Sequence, residues 1–337
     1  MKERIMWLDI ARGIAFLMII YRHLDFMNET LMAYFSPMFL TIFFFVSGYL
    51  FNTKYSFLEV VEQRFRTVLI PFFIYGIANI ILSQILTFGD KPPLDEAFYN
   101  FFAQIRGEDD GLWFLACLFV ATIPFYFMVK YTKGAGLLSL SIALLLVNYF
   151  ADLDPVPWHI EFIAPSVFYM SLGYLYKQNE TKLGSLDTGK SIIFMAILYI
   201  PLVTIHYANF SELIHIETTH YIVDGIVITL LGIHLCIAIS KNTSVLSSTL
   251  AYIGSNSLLY FCLHGKVLSL LQKVAYSLFD AAGIEITQGI SFVLGLVIVL
   301  LTAMLLYIPV SIINKYFYWT IGQGFRLLSK PAKPRVA

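Results

Sequence analysis

Ten stretches of this chain are apolar enough and long enough to cross a lipid bilayer, and the segments joining them are short. Inside lipid no water satisfies the backbone, so only helices and closed barrels can span it. A helix needs about 20 residues to cross, and these stretches have that length. They fall at about 5–26, 32–52, 67–88, 112–130, 136–152, 158–176, 191–208, 221–240, 251–272 and 288–314, of which 136–152 is short. The expected fold is an all-α integral membrane protein: a bundle of about ten transmembrane helices in one domain over residues 1–337, with no separate soluble domain. Segment 55–66 (YSFLEVVEQRFR) is too polar to span, and its apolar positions recur at helical spacing. It reads as an interfacial amphipathic helix, and 92–108 as a second.

Composition agrees. The chain is 58% hydrophobic and 13% charged, with a mean hydropathy of +0.75, where a soluble domain carries about 25% charged residues. The net charge is zero, which gives no sign of a nucleic-acid partner. Cys117, Cys236 and Cys262 stand singly inside apolar spans, without metal spacing, and read as small core residues. The N-terminal apolar run is interrupted by Asp9 and Arg12 and no small-residue cleavage site follows, so it is expected to be retained.

Lys and Arg sort by side. Connections on one side collect Lys54, Arg64, Arg66, Lys130, Lys133, Lys177, Lys182, Lys190, Lys241 and both terminal basic groups. The other side holds only Lys91, Arg106 and, at a span edge, Lys273. By the positive-inside rule both termini are cytoplasmic. The outer connections are acidic or carry histidine: Glu108-Asp109-Asp110, Asp152, Asp154, Glu212, His215, Glu217, His220, Asp280 and Glu285.

The first span (IMWLDIARGIAFLMIIYRHLDF) should hold no charge, yet it carries Asp9, Arg12, Arg22 and His23. A mid-bilayer charge costs a few kcal/mol or more, so such residues are functional candidates. Eleven steps of about 100° bring His23 back to within about 20° of Arg12, and the rise between them is on the order of 16 Å. One face therefore holds a fixed cation in the inner half and a titratable imidazole in the outer half. His264 lies about 20 Å along the ninth span, again in the outer half, so the two histidines could share one cavity.

Several motifs together resemble the membrane acyltransferase family 3, which includes bacterial sugar O-acetyltransferases and the fucose 4-O-acetylase group. Leu8-Asp9-Ile10-Ala11-Arg12-Gly13, followed by His23, is similar to its opening signature, and Phe43-Phe44-Phe45-Val46-Ser47-Gly48-Tyr49 to its FFxxSGF stretch. Arg64-Phe65-Arg66 before Ile70-Pro71, Leu112-Trp113-Phe114-Leu115, Gly173-Tyr174, and Ile253-Gly254 with Ser257, Tyr260 and His264 complete the set in order. The chain resembles the short, stand-alone form of the family and is expected to be without the appended extracytoplasmic hydrolase-like domain that some members carry.

The resemblance implies a plasma-membrane, multi-pass O-acetyltransferase. It would move an acetyl group from cytosolic acetyl-CoA to a hydroxyl of a cell-surface or lipid-linked carbohydrate. His23 is then either the general base or the group that carries the acetyl; the plainer reading is a packing histidine. Asp9 and Arg12 form an i,i+3 pair that makes the arginine tolerable in lipid, and the family adds a catalytic or cofactor contact. Arg64 and Arg66 read either as headgroup anchors or as a guanidinium clamp on the adenosine diphosphate end of acetyl-CoA. Ser47 reads by default as a small residue that lets helices pack closely, and with the family as a cofactor residue; it is no nucleophile, since no G-x-S-x-G elbow surrounds it. Trp113 reads as an interfacial belt residue or a sugar-stacking platform, Tyr260 as core or acceptor site, and His264 as packing or acceptor site. Asp109 and Asp110 read as a solvated loop or as acceptor-binding carboxylates. Lys266 is expected to snorkel outward. No metal is expected, because His206, His215, Glu217 and His220 are irregularly spaced. Partners are the lipid bilayer, acetyl-CoA and the carbohydrate; a homo-oligomer and a glycan-synthesis complex both stay open. The competing class is a transporter or flippase of lipid-linked sugars or small anions, for which buried charges are equally expected.

Overall fold

The computed structural model describes residues 5–86, 92–105, 111–151, 153–184, 187–216, 222–325 and 327; among these there is no strand. In chain order the helices are α1 (Met6–Arg22), α2 (Glu29–Phe35), α3 (Thr41–Tyr49), α4 (Phe57–Arg64), α5 (Ile70–Leu86), α6 (Leu94–Ala103), α7 (Trp113–Tyr131), α8 (Ala135–Ala151), α9 (Ile163–Gln178), α10 (Glu180–Leu183), α11 (Gly189–Phe210), α12 (Ile222–Asn242), α13 (Ser247–Ser255), α14 (Ser257–Ala281) and α15 (Gln288–Tyr316).

Five segments are long and apolar enough to cross a membrane by length and composition: Phe57–Ile85, Trp113–Tyr131, Gly189–Phe210, Val223–Asn242 and Gln288–Tyr316. Helix α8 is apolar but shorter, and α1 has 17 residues including Asp9 and Arg12. The surface says the same as the lengths. Ile193, Ile197 and Ile205 on α11, and Val293, Leu300 and Met304 on α15, are each more than half exposed. Water would penalise such faces at roughly 25 cal/mol per Å²; lipid does not.

Four expectations change. The 32–52 stretch is two helices, α2 and α3, separated by a turn over 36–40. Pro37 explains the break: it has no N–H to continue the bonding pattern of α2, which ends with the Ser36 N–H on the Met32 carbonyl. Segment 55–66 is not a separate interfacial helix. Helix α4 runs on into α5 through a π turn over Phe65–Leu69, in which the Ile70 N–H donates to the Phe65 carbonyl. Pro71 cannot donate its own helical bond, and the wider turn absorbs that loss. Residues 158–162 form a tight turn, with Trp158 and His159 at φ 62° and 57°, so the helix there starts only at Ile163. The ninth stretch is interrupted at Asn256, whose amide donates to the Tyr252 carbonyl and whose oxygen accepts from Asn314.

Helix α1 is the hub: it packs against α2, α3, α12, α13, α14 and α15. Two glycine pairs set the spacing. A Cβ on Gly13 would overlap the Leu250 carbonyl and one on Gly254 the Asp9 carbonyl, so α1 and α13 touch backbone to backbone. Gly48 and Gly173 stand in the same relation to the carbonyls of Met170 and Phe45, joining α3 to α9. Small residues permit this approach, which van der Waals packing then stabilises.

At one end of the bundle Lys241 ties five helices together. Its ammonium donates to Tyr176 Oη at 2.8 Å, Glu180 Oε1 at 3.0 Å and Asp187 Oδ2 at 2.9 Å, and lies 4.7 Å from the Trp7 ring centre. The Tyr49 hydroxyl donates to Glu180.

Candidate active site

Two side-chain stripes face each other. On α1 and its C-cap, Arg12, Ile19 and His23 recur at i, i+7 and i+11, one helical face. On α14, Ser257, Phe261 and His264 recur at i, i+4 and i+7. Three cavities lie along the seam.

The first cavity, about 260 Å³, is lined by Arg12, Ser47, Arg64, Thr67 and Ser257, with apolar walls from Phe43, Val46, Leu50, Phe114, Leu115 and Leu118. Arg12 reaches it braced by its ion pair with the buried Asp9. Arg64 reaches it because the π turn follows directly, bringing Thr67 and Val68 to the same wall. The cavity is thus a narrow apolar sleeve with two guanidinium groups at its lining.

Beyond it are two cavities that both contain His23, His264 and Phe261. One, about 450 Å³, adds Asn79, Ser83, Gln84, Lys266 and Ser269. The other, about 350 Å³, adds Arg22, Phe39, Trp113 and His215. The imidazoles of His23 and His264 lie edge to face with ring centres 5.0 Å apart. His23 Nδ1 is 2.8 Å from the Ile19 carbonyl and His264 Nδ1 is 2.8 Å from the Phe261 carbonyl. A carbonyl only accepts, so each neutral ring carries its proton on Nδ1, and Nε2 becomes its basic atom. Phe16 packs edge-on against His264 and Tyr260, closing the floor.

Phe261 lines all three cavities, and Ile19 lines the first and the third. These two apolar side chains are the wall between the arginine sleeve and the histidine chamber.

The remaining candidates separate. Arg66 faces away from the sleeve: it donates to the Gly322 carbonyl, pairs with Glu62 at 3.5 Å and lies over the Phe325 ring. Residues two apart on a helix diverge by about 200°, so Arg64 and Arg66 do not make one clamp. Trp113 is buried rather than at a belt, packed against His159 and Phe162, with part of its surface on the histidine chamber. Tyr260 does not line these cavities; it is buried and donates to the Ala303 carbonyl at 3.3 Å. Lys266 lines the larger chamber and donates to Ser83. Asp109 and Asp110 lie outside the described residues, although Gly111, which follows them, lines both chambers. Glu217 and His220 lie outside them too. His206 pairs with Asp224 at 2.7 Å and His215 packs on Phe39, and among the described residues no group of three or more His, Cys, Asp or Glu is placed to hold a metal.

Sequence reasoning assigns no role to Phe261 or Asn79, and gives Arg22 only a place among the charged candidates of the first span. The i, i+4, i+7 pattern of Ser257, Phe261 and His264 was the available signal for the first. Arg22 was counted among the charges of the opening span, but its neighbour His23 absorbed the functional reading.

Comparison with known families matches residues 5–310 to a family model described as an acyltransferase domain, that of acyltransferase family 3. No curated protein and no solved structure matches the chain. Guanidinium-lined sleeve, histidine chamber and family signature span the same helices, and with 5–310 of the chain covered, this protein belongs to the acyltransferase 3 family.

Proposed function

We propose that the protein transfers an acetyl group from cytosolic acetyl-CoA to a hydroxyl of a cell-surface or lipid-linked carbohydrate. The observation that supports this best is the order along the seam: arginines and an apolar sleeve, then an Ile19–Phe261 wall, then paired imidazoles. Ten spans, cytoplasmic termini and a plasma-membrane location complete the reading. The basic flank and the Arg64 end of the sleeve then face the cytosol, and His23 lies toward the opposite side.

In this reading Arg12 and Arg64 meet the phosphate-bearing part of the cofactor, where guanidinium pairing is strongest. The pantetheine arm lies in the sleeve and brings its thioester to the wall. His23 Nε2 takes the proton from the acceptor hydroxyl as its oxygen attacks the thioester carbonyl. The C–S bond breaks, and the imidazolium returns its proton to the departing thiolate. The alternative order, in which Nε2 first attacks the carbonyl and holds the acetyl group, uses the same atoms. His264 accompanies His23 on the acceptor side.

The test is thiol release from acetyl-CoA by purified protein in proteoliposomes on addition of surface glycans, with acetyl on the glycan measured by NMR. Glycan-dependent release that His23→Ala eliminates supports the reading. Release without any acceptor dependence, or none with any glycan, overturns it.

A further inference from the structure

Arg22 closes α1 one residue before His23 and lines the smaller histidine chamber. Its only polar contact among the described residues is to the thioether of Met27, at 3.8 Å. A thioether is a weak acceptor, far short of what a guanidinium's five N–H groups can use. Among the described residues the chamber around it holds no acid. Its described lining adds His23, His215 and His264 and contains no carboxylate; the larger chamber adds Lys266, again with no carboxylate. A half-buried arginine without an acidic partner, in a cavity free of acid among the described residues, fits an incoming anion.

We propose that the acceptor is anionic: it carries a carboxylate or phosphate that Arg22 holds through a forked pair of hydrogen bonds, placing a neighbouring hydroxyl at His23. This rests on the acetyl-transfer reading and narrows its substrate class. A guanidinium matches either anion in the same bidentate geometry. Two sources offer that chemistry: an acidic sugar within the glycan, or the phosphate of a lipid-linked sugar. The lone arginine beside the base would also set register, since an anion fixed at Arg22 fixes which hydroxyl reaches Nε2.

The experiment separates binding from turnover. Binding to purified full-length protein is measured by calorimetry in a phosphate-free, phospholipid-free detergent, so that no headgroup can occupy the site. The probes are a glucuronate-containing disaccharide, a sugar 1-phosphate, and a neutral disaccharide of the same size. Binding of either anionic probe at least about tenfold tighter than the neutral one is expected, with the tighter of the two naming the source. Arg22→Gln should remove that preference, and Arg22→Lys, which keeps the charge without the fork, should restore part of it. In the acetyl-CoA assay Arg22→Gln should raise the KM for the preferred anionic acceptor about ten- to hundredfold, the range for losing a charged hydrogen bond, with a smaller change in kcat. Equal binding of neutral and anionic probes, or an unchanged preference in Arg22→Gln, overturns the proposal. Arg22-dependent binding without acetyl-CoA turnover would retain the anion site and reject acetyl transfer.

Discussion

His23 and His264 hold their imidazoles 5.0 Å apart while each ring's Nδ1 meets a carbonyl of its own helix. The pair is therefore oriented before any ligand arrives, with the same nitrogen of each ring left as the base. In the proposed reaction His23 carries the greater share, because it lies on the same stripe as Arg12. His23→Ala should lower kcat by about 10²–10⁴-fold, the usual worth of a general base. His264→Asn should lower it less. Steady-state rates across pH, on protein checked for monodispersity, decide between equal and unequal roles.

The two arginines near the π turn should give opposite phenotypes. Arg64→Ala should raise the KM for acetyl-CoA about tenfold or more with little change in the KM for the acceptor, since one charged hydrogen bond is worth roughly 1.5–3 kcal/mol. Arg66→Ala should leave both KM values near wild type and lower the melting temperature, because its partners are Gly322, Glu62 and Phe325. Parallel kinetics and thermal unfolding in detergent separate the two.

Backbone contact between α1 and α13 predicts a large cost for one methyl group. Gly254→Ala places its Cβ on the Asp9 carbonyl, and neither backbone can yield alone. Overpacking costs about 1–3 kcal/mol when side chains move, and more when they cannot. Gly173→Ala, against Phe45, should behave alike, whereas Gly289→Ala meets nothing within 4 Å and serves as control. Melting temperature and folded yield report the difference.

Lys241 lies among Asp187, Glu180 and Tyr176 with both acids within 3.0 Å. Lys241→Met leaves Asp187, only 2% exposed at its side chain, without its ammonium partner and with the Tyr176 hydroxyl and, 3.8 Å away, His234 beside it. Removing one partner of a buried pair costs about 3–5 kcal/mol. Lys241→Met with Asp187→Asn should be more stable than Lys241→Met alone, and melting of the four variants of this cycle checks the coupling.

Helical periodicity alone sufficed for the Arg12–His23 stripe, because His23 caps the helix that carries Arg12 and eleven steps close three turns. The meeting of Arg12 with Ser47 and Arg64 was legible only through the family signature, since three separate helices supply them. Arg64 and Arg66 read as a pair because they are close in sequence, although two steps on a helix point them apart. The break at Pro37 was written in the chain but was outweighed by the apolar run around it. Trp113 looked like a belt residue from its place at a span edge; the turn carrying Trp158 and His159 folds over it and buries it. The Lys241 clasp was out of reach, because its partners lie at 176, 180 and 187 and nothing in their spacing announces a shared site.

The Ile19–Phe261 partition has a consequence for the cell as well as for the reaction. An enzyme open to water from both faces would short-circuit the ion gradients that the surrounding membrane exists to hold. In the proposed orientation Ile19 and Phe261 lie between the two ends of the seam, and apolar side chains at that point disfavour a file of water. In the proposed reaction the carrier arm of the acyl donor would end at this partition during each turnover, so the same two side chains that meet the thioester would also keep the idle seam dry.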